Sequence, residues 1–179
     1  MRRRVATACL ELLAEGQVDF GPVDVARRSG VSRATIHRWW PTKEDLLREA
    51  LAHHTRSLVV TDTGSWEGDV RALAQQLTVF FADPVEVSQN ALMASGAHPE
   101  YTATVLDHYQ ELFDEWRAMV ARACARGEVA PDVDADTVLL ALASPLLLVP
   151  LLFRRSVSRR DVEHLVTLLL KATSVRDDL

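Results

Sequence analysis

Apolar residues recur at helical spacing along most of the chain, and no segment alternates with the period of two expected of a strand. Val5, Cys9, Leu12 and Leu13 fall on one face of a first helix, about Arg4 to Glu15, with Gly16 as its stop. A second helix begins at Pro22, a residue suited to a first helical turn, and carries Val23, Val25 and Ala26. After Ser29-Gly30, Ser32 is placed to cap a short third helix that reaches about Trp40, and Pro41 closes it. Thr42 and Asp45 form a capping-box pattern for a fourth helix, whose apolar stripe is Leu46, Leu47, Ala50, Leu51 and Leu58.

The polar stretch Asp62 to Ser65 follows and reads as a domain boundary. Beyond it the pattern gives helices over about Glu67–Ala82, Val85–Ala94 and Glu100–Arg126. A loop, RGEVAPDVDAD, ends with Asp134 as a cap. Val138 to Phe153 is then almost wholly apolar, and a last helix follows Ser158, burying Val162, Leu165, Val166 and Leu169. The expected fold is all-α, about nine helices, with a three-helix head in residues 1–60 and a helical body in residues 61–179. The run Val138–Phe153 has sixteen residues and two prolines, Pro145 and Pro150, which are expected to kink or interrupt it. That is short of the roughly 18–20 residues that span a bilayer, so it reads as a buried or intersubunit helix, with no membrane partner.

Charge changes the picture once it is divided along the chain. The net charge is −5 over 179 residues. Residues 1–60 hold ten Lys and Arg against seven Asp and Glu, a net of +3, and the remainder carries −8. An acidic body does not stop a basic head from binding phosphates, because screening confines the relevant charges to those near the duplex. Cys9 and Cys124 read as free thiols of a reducing cytoplasm, and neither has metal-ligand spacing. No apolar run follows Arg2-Arg3-Arg4, so no signal peptide is expected, and the location reads as cytoplasmic.

The chemistry is concentrated in GVSRATIHRWWPTK, Gly30 to Lys43. Two helices joined by a tight glycine-containing turn are the layout of a helix-turn-helix. Val31 and Ile36 are expected to pack the third helix down. Arg33, Ala34, Thr35, His37, Arg38 and Trp39 are left outside, with Thr42 and Lys43 at the start of the fourth helix. Arg33 and Arg38 can fork onto guanine O6 and N7 or onto phosphate, and Thr35 can meet a thymine methyl or a phosphate. His37 and Lys43 suit the backbone. Trp40 returns toward Ile36 as a core wedge, while Trp39 either stacks on sugar-phosphate or packs beneath the fourth helix. The residues alone also allow an ordinary helical hairpin with a solvated basic face.

GVSRATIHRWWPTKEDLL resembles the DNA-binding head of the tetracycline-repressor-type (TetR) regulators, with the likeness running from about Val5 to Leu58. One departure is His37, where the family usually has a tyrosine that touches phosphate. RGEVAPDVDAD and the Ser-Pro-Leu helix after it resemble the C-terminal domain of one branch of the family. The resemblance implies a homodimer through the last two helices, a palindromic double-stranded DNA operator, and a body that binds a small effector. It gives a collective meaning to Phe80, Phe81, Met93, His98, Tyr101, His108, Tyr109, Leu112, Phe113 and Trp116, each of which alone reads as core packing. Their lining would suit a hydrophobic or aromatic effector, oriented by His98, His108, Tyr109 and Gln76. A ligand-responsive repressor is the function this implies, with no cofactor, no metal and no catalytic residues.

Two other readings compete. A small helical enzyme lacks support in the absence of a Gly-rich phosphate loop, a Gly-x-Ser-x-Gly elbow or a paired metal motif. An adaptor whose head binds protein stays open, and salt dependence separates it from a DNA reader.

Overall fold

The computed structural model describes residues 1–175. Among the described residues there are nine α-helices: α1 (Arg2–Ala14), α2 (Pro22–Ser29), α3 (Arg33–Trp39), α4 (Lys43–His54), α5 (Trp66–Phe81), α6 (Pro84–Ser95), α7 (Pro99–Ala125), α8 (Ala135–Phe153) and α9 (Arg159–Thr173). No strand occurs among them. The chain forms two compact units. One comprises Met1–Ser57 and Asp83–Tyr109, and the other Leu58–Ala82 and the residues from Gln110 onward.

The first unit is built on α1, which packs against α2, α4 and α6. The face foreseen from the sequence is buried: Val5, Cys9, Leu12 and Leu13, joined by Ala6 and Ala8. From α4, Leu46, Leu47, Ala50 and Leu51 meet the same core. Burial pushes the Cys9 thiol up to about 12, with the Glu49 carboxylate adding to it, so the group is a small apolar filler. Asp83, just before Pro84, caps α6 by accepting from Val85 N at 2.8 Å, and Ser88 of α6 donates to Ala14 O at 2.8 Å.

In the second unit α5 packs on α8 and α9. Trp66 is buried and its indole N–H donates to Thr173 Oγ1 at 2.8 Å, tying the start of α5 to the end of α9. Asp69, buried on α5, accepts from Thr63 N and Thr63 Oγ1, both at 2.7 Å, and pairs with Arg126 at 3.2 Å. A buried carboxylate is tolerated because it is paired and hydrogen-bonded.

Of the kink or interruption expected at the prolines of α8, the interruption does not occur. The helix runs unbroken across Pro145 and Pro150. Each proline forfeits one i→i−4 bond, and the flanking turns carry the helix. Starting from the Asp134 cap, whose carboxylate accepts from Thr137 N at 2.8 Å, it reaches 19 residues, long and apolar enough to cross a membrane by length and composition. Val138, Leu139, Leu142, Leu146 and Pro150 are buried, while Leu140, Leu152 and Phe153 are exposed, as is Leu168 on α9.

Candidate nucleic-acid interface

The turn that presents α3 is set by Gly30, the C-cap of α2, at φ 64°, a left-handed conformation that favours glycine. A second constraint was not visible in the sequence. Arg4 of α1 reaches Ser29 O with Nε at 3.0 Å and Nη2 at 2.5 Å, satisfying a carbonyl at the end of α2. A Cβ at position 30 would lie 2.8 Å from that Nη2. Gly30 therefore both turns the chain and leaves room for the guanidinium.

Ser32 caps α3 as expected, its Oγ accepting from Thr35 N at 3.1 Å. The two hydroxyls lie 2.8 Å apart, so Thr35 Oγ1 is drawn into the cap. Ile36 is fully buried and Val31 nearly so. Trp40 is buried, and its Nε1 donates to Glu49 Oε2 at 3.1 Å, as befits a wedge with a satisfied polar tip. The opposite face carries Arg33, Ala34, His37, Arg38 and Trp39, all exposed. Trp39 is 57% exposed rather than tucked beneath α4.

Most of the basic side chains of this unit are paired or hydrogen-bonded. Arg2 pairs with Glu49, Arg27 with Asp24, Arg28 with Glu15, and Arg48 with Glu44. Arg33 and Arg38 have no intramolecular ion pair or hydrogen bond among the described residues. Thr42 is occupied by its cap: its N–H donates to Asp45 Oδ2 at 3.0 Å, and its Oγ1 donates to the same atom at 2.6 Å. Those bonds hold the Asp45 carboxyl below the usual range. Lys43 Nζ donates to Asp19 Oδ1 at 3.0 Å, and that bond holds Asp19 low as well. Asp19 and Glu49 were not singled out in the sequence, because neither lies near its partner along the chain.

The ten residues grouped as a possible effector lining divide between the two units. Met93, His98, Tyr101, His108 and Tyr109 belong to the first, and Phe80, Phe81, Leu112, Phe113 and Trp116 to the second. In the second unit, Phe80 and Phe81 have ring centroids 5.7 Å apart, as do Phe113 and Trp116. In the first, the tyrosines enter a buried polar network around Glu86, which is 1% exposed. Glu86 Oε1 accepts from Tyr109 OH at 3.0 Å and Gln89 Nε2 at 3.1 Å, and His54 Nε2 lies 3.0 Å from it. Asn90 Nδ2 donates to Oε2 at 3.0 Å, and Tyr101 OH donates to Gln89 Oε1 at 3.1 Å. Burial, then the Glu86 charge, pushes both phenols upward, so each stays a neutral donor. His108 Nε2 lies 3.1 Å from Thr55 Oγ1. Gln76 instead clasps the backbone of Val59, accepting from N at 2.9 Å and donating to O at 3.0 Å.

Residues 60–169 match the tetracyclin repressor-like C-terminal domain, and residues 8–50 match the bacterial regulatory proteins of the tetR family. The chain belongs to the TetR family. It is therefore a DNA-binding transcriptional regulator and not an enzyme. Its relatives include the HTH-type transcriptional regulator AqdR of Rhodococcus erythropolis, 31% identical over 144 residues, covering 79% of this chain and 70% of AqdR. The DNA-binding transcriptional repressor TetR of Mycobacteroides abscessus is 30% identical over 144 residues, covering 75% of this chain and 73% of that protein. Among solved structures, the flavonoid-responsive regulator FrrA has a TM-score of 0.72 at 20% identity, covering 98% of this chain and 97% of FrrA. FadR of Bacillus subtilis in complex with stearoyl-CoA has a TM-score of 0.74 at 12% identity, covering 96% of each chain. These two share the fold with the TetR-family chain described here.

Proposed function

We propose that this TetR-family regulator is a cytoplasmic, dimeric repressor that reads a palindromic operator with α3 and releases it when a small hydrophobic effector binds. The observation that carries the reading is the exposed α3 face, on which Arg33 and Arg38 stand uncommitted while most basic neighbours are paired. Residues 1–60 serve as the DNA-binding domain and 61–179 as the regulatory and dimerisation domain. Arg33 and Arg38 supply forked donors to guanine edges or phosphate. With its hydroxyl in the cap, Thr35 offers its methyl to thymine. Ala34, His37 and Trp39 complete the face, and Thr42 and Lys43 bind the backbone.

The exposed apolar side chains of α8 and α9 support the dimer. Leu140, Leu152, Phe153 and Leu168 are each about two-thirds exposed, and Leu148 of α8 is 43% exposed. Apolar groups clustered on two adjacent helices favour a partner surface over water. Two copies set two reading helices on half-sites roughly 34–36 Å apart, one turn of duplex. The effector reading is supported by the aromatic side chains of α5 and α7 and by the ligands named for FrrA and FadR. Release requires the effector to prefer the conformation that does not fit DNA. α4 is the suited relay. It begins at Lys43, and at its other end His54 and Thr55 meet Glu86 and His108.

The test begins with selection of bound fragments from the source genome, followed by binding assays on the recovered half-site. Arg38→Ala should relax preference at one base position. Lys43→Ala should weaken all duplexes alike and lower the salt slope by about one. Unchanged relative affinities across operator variants in Arg38→Ala would remove Arg38 from the reading face. A strictly monomeric protein bound to DNA would refute the paired half-site.

A further inference from the structure

The side chain proposed to grip the DNA backbone is already engaged. Lys43 Nζ is 3.0 Å from Asp19 Oδ1, in the connection between α1 and α2. Asp19 is 84% exposed and Lys43 43% exposed, so the pair lies where a phosphate could reach it. A phosphate approaching Lys43 therefore meets a carboxylate of its own sign beside the ammonium. Lysine is a point charge with three donors, and an anion 3 Å away lowers its attraction for a second anion.

His98 lines the same clefts as this carboxylate. Two adjoining clefts in this unit, of about 360 and 270 Å³, share Asp19 and His98 in their walls. The first also contains Asp24 of α2, and the second contains Lys43 of α4 and Glu100 of α7. Asp24 is committed elsewhere, bonding Arg27 Nη2 at 2.9 Å and Gly21 N at 3.1 Å. Asp19 and Glu100 are then the carboxylates in the wall that Lys43 and His98 share, and Asp19 is the one bonded to Lys43. His98 stands in the turn between α6 and α7, directly before Pro99.

We propose that Asp19 competes with DNA phosphate for Lys43, and that the charged form of His98 draws Asp19 away, so that a proton taken up in the α6–α7 turn tightens the backbone grip. The proposal rests on the reading that Lys43 contacts phosphate. Lys43 and His98 are rival cations for one carboxylate. When His98 is neutral, Asp19 is left to Lys43. When it is charged, Asp19 is shared and Lys43 is freer. Histidine is the side chain whose charge changes between about pH 5 and pH 8.

The experiment uses the full chain, a labelled duplex of about two helical turns, and fluorescence anisotropy between about pH 6 and pH 8. Asp19→Asn should tighten binding about two- to fivefold per head near pH 8, the range an exposed ion pair allows, and less near pH 6. His98→Gln should bind more weakly than the parent near pH 6 and equally near pH 8. In the Asp19→Asn background, His98→Gln should have no effect. His37 on α3 is common to every variant, so differences between them isolate His98. An Asp19→Asn protein that binds no better, or worse, overturns the competition. Identical pH profiles for the parent and His98→Gln overturn the role of His98. Lys43→Ala separates the two levels of failure. If it binds as well as the parent, the phosphate role of Lys43 is wrong. If it binds weakly while Asp19→Asn is neutral, only the competition is wrong.

Discussion

Gly30→Ala tests whether the turn that presents α3 is held by backbone conformation and by Arg4 together. At φ 64° an alanine pays about 1 kcal/mol for the left-handed conformation. Its Cβ would sit 2.8 Å from Arg4 Nη2, the mobile end of a side chain, so the guanidinium moves rather than the backbone. Moving it breaks the bonds to Ser29 O, and for a partly buried charge-assisted contact that costs about 1.5 kcal/mol. The single variant should lose about 2.5 kcal/mol, which urea unfolding followed by far-UV circular dichroism resolves. Arg4→Met alone should lose about 1.5 kcal/mol. Because the Arg4 bonds can be lost only once, the double variant should lose little more than Gly30→Ala, a coupling of about 1.5 kcal/mol. Equal costs of Gly30→Ala in both backgrounds would refute the Arg4 part. A total cost below about 0.5 kcal/mol would refute the backbone part as well.

Two further outcomes follow from the first and second units. Glu86→Ala should destabilise by about 3–5 kcal/mol, since it strips the acceptor from Tyr109, Gln89 and Asn90 and leaves a hole, and a urea-measured loss under about 1 kcal/mol would contradict the network. Acid should destabilise the fold through carboxyls held low, first among them Glu15 by Arg28, Asp45 by Thr42 and Glu128 by the Trp66 N–H. Their folded values lie below the unfolded ones near pH 4, so their stabilisation is complete above that value and is lost as pH falls through the folded values. A thermal midpoint that stays flat from about pH 5 to pH 3 would show that these bonds contribute nothing.

The elements were legible where the code is local. Ser32, Thr42 with Asp45, Asp134 and Ser158 announce helix starts from a few residues, and each accepts the bond its position suggests. Val5, Cys9, Leu12 and Leu13 announce a buried face by spacing alone. What escaped is pairing across distance. Arg4 with Ser29, Lys43 with Asp19, and Glu86 with Tyr109 are separated by 25, 24 and 23 positions. Nothing in either partner's neighbourhood marks the other. Gln76 shows the same limit in reverse: a polar residue among aromatics reads as a ligand contact, yet it is spent on the Val59 backbone. The continuity of α8 through its prolines escaped for another reason. A proline penalty is counted per bond, whereas the apolar burial of Val138, Leu139, Leu142 and Leu146 accumulates along the helix and outweighs two missing donors.

The pairing also explains how a chain of net charge −5 presents a basic surface. Counting the head gives +3, but that number assigns equal weight to charges that are not equally available. Arg2, Arg27, Arg28, Lys43 and Arg48 each face a carboxylate within 4 Å. Their fields are largely cancelled beyond a Debye length of about 8–10 Å. Arg33 and Arg38 are uncancelled and lie five residues apart on one short helix whose other face is anchored by Ile36. On the proposed reading, the potential that a duplex meets at α3 is set chiefly by these two side chains rather than by the sum over the chain. Local carboxylates do not merely reduce the charge of the head. By neutralising five of the ten basic side chains of residues 1–60, they leave the unpaired arginines of α3 prominent, which on the proposed reading favours an encounter with α3 toward the duplex.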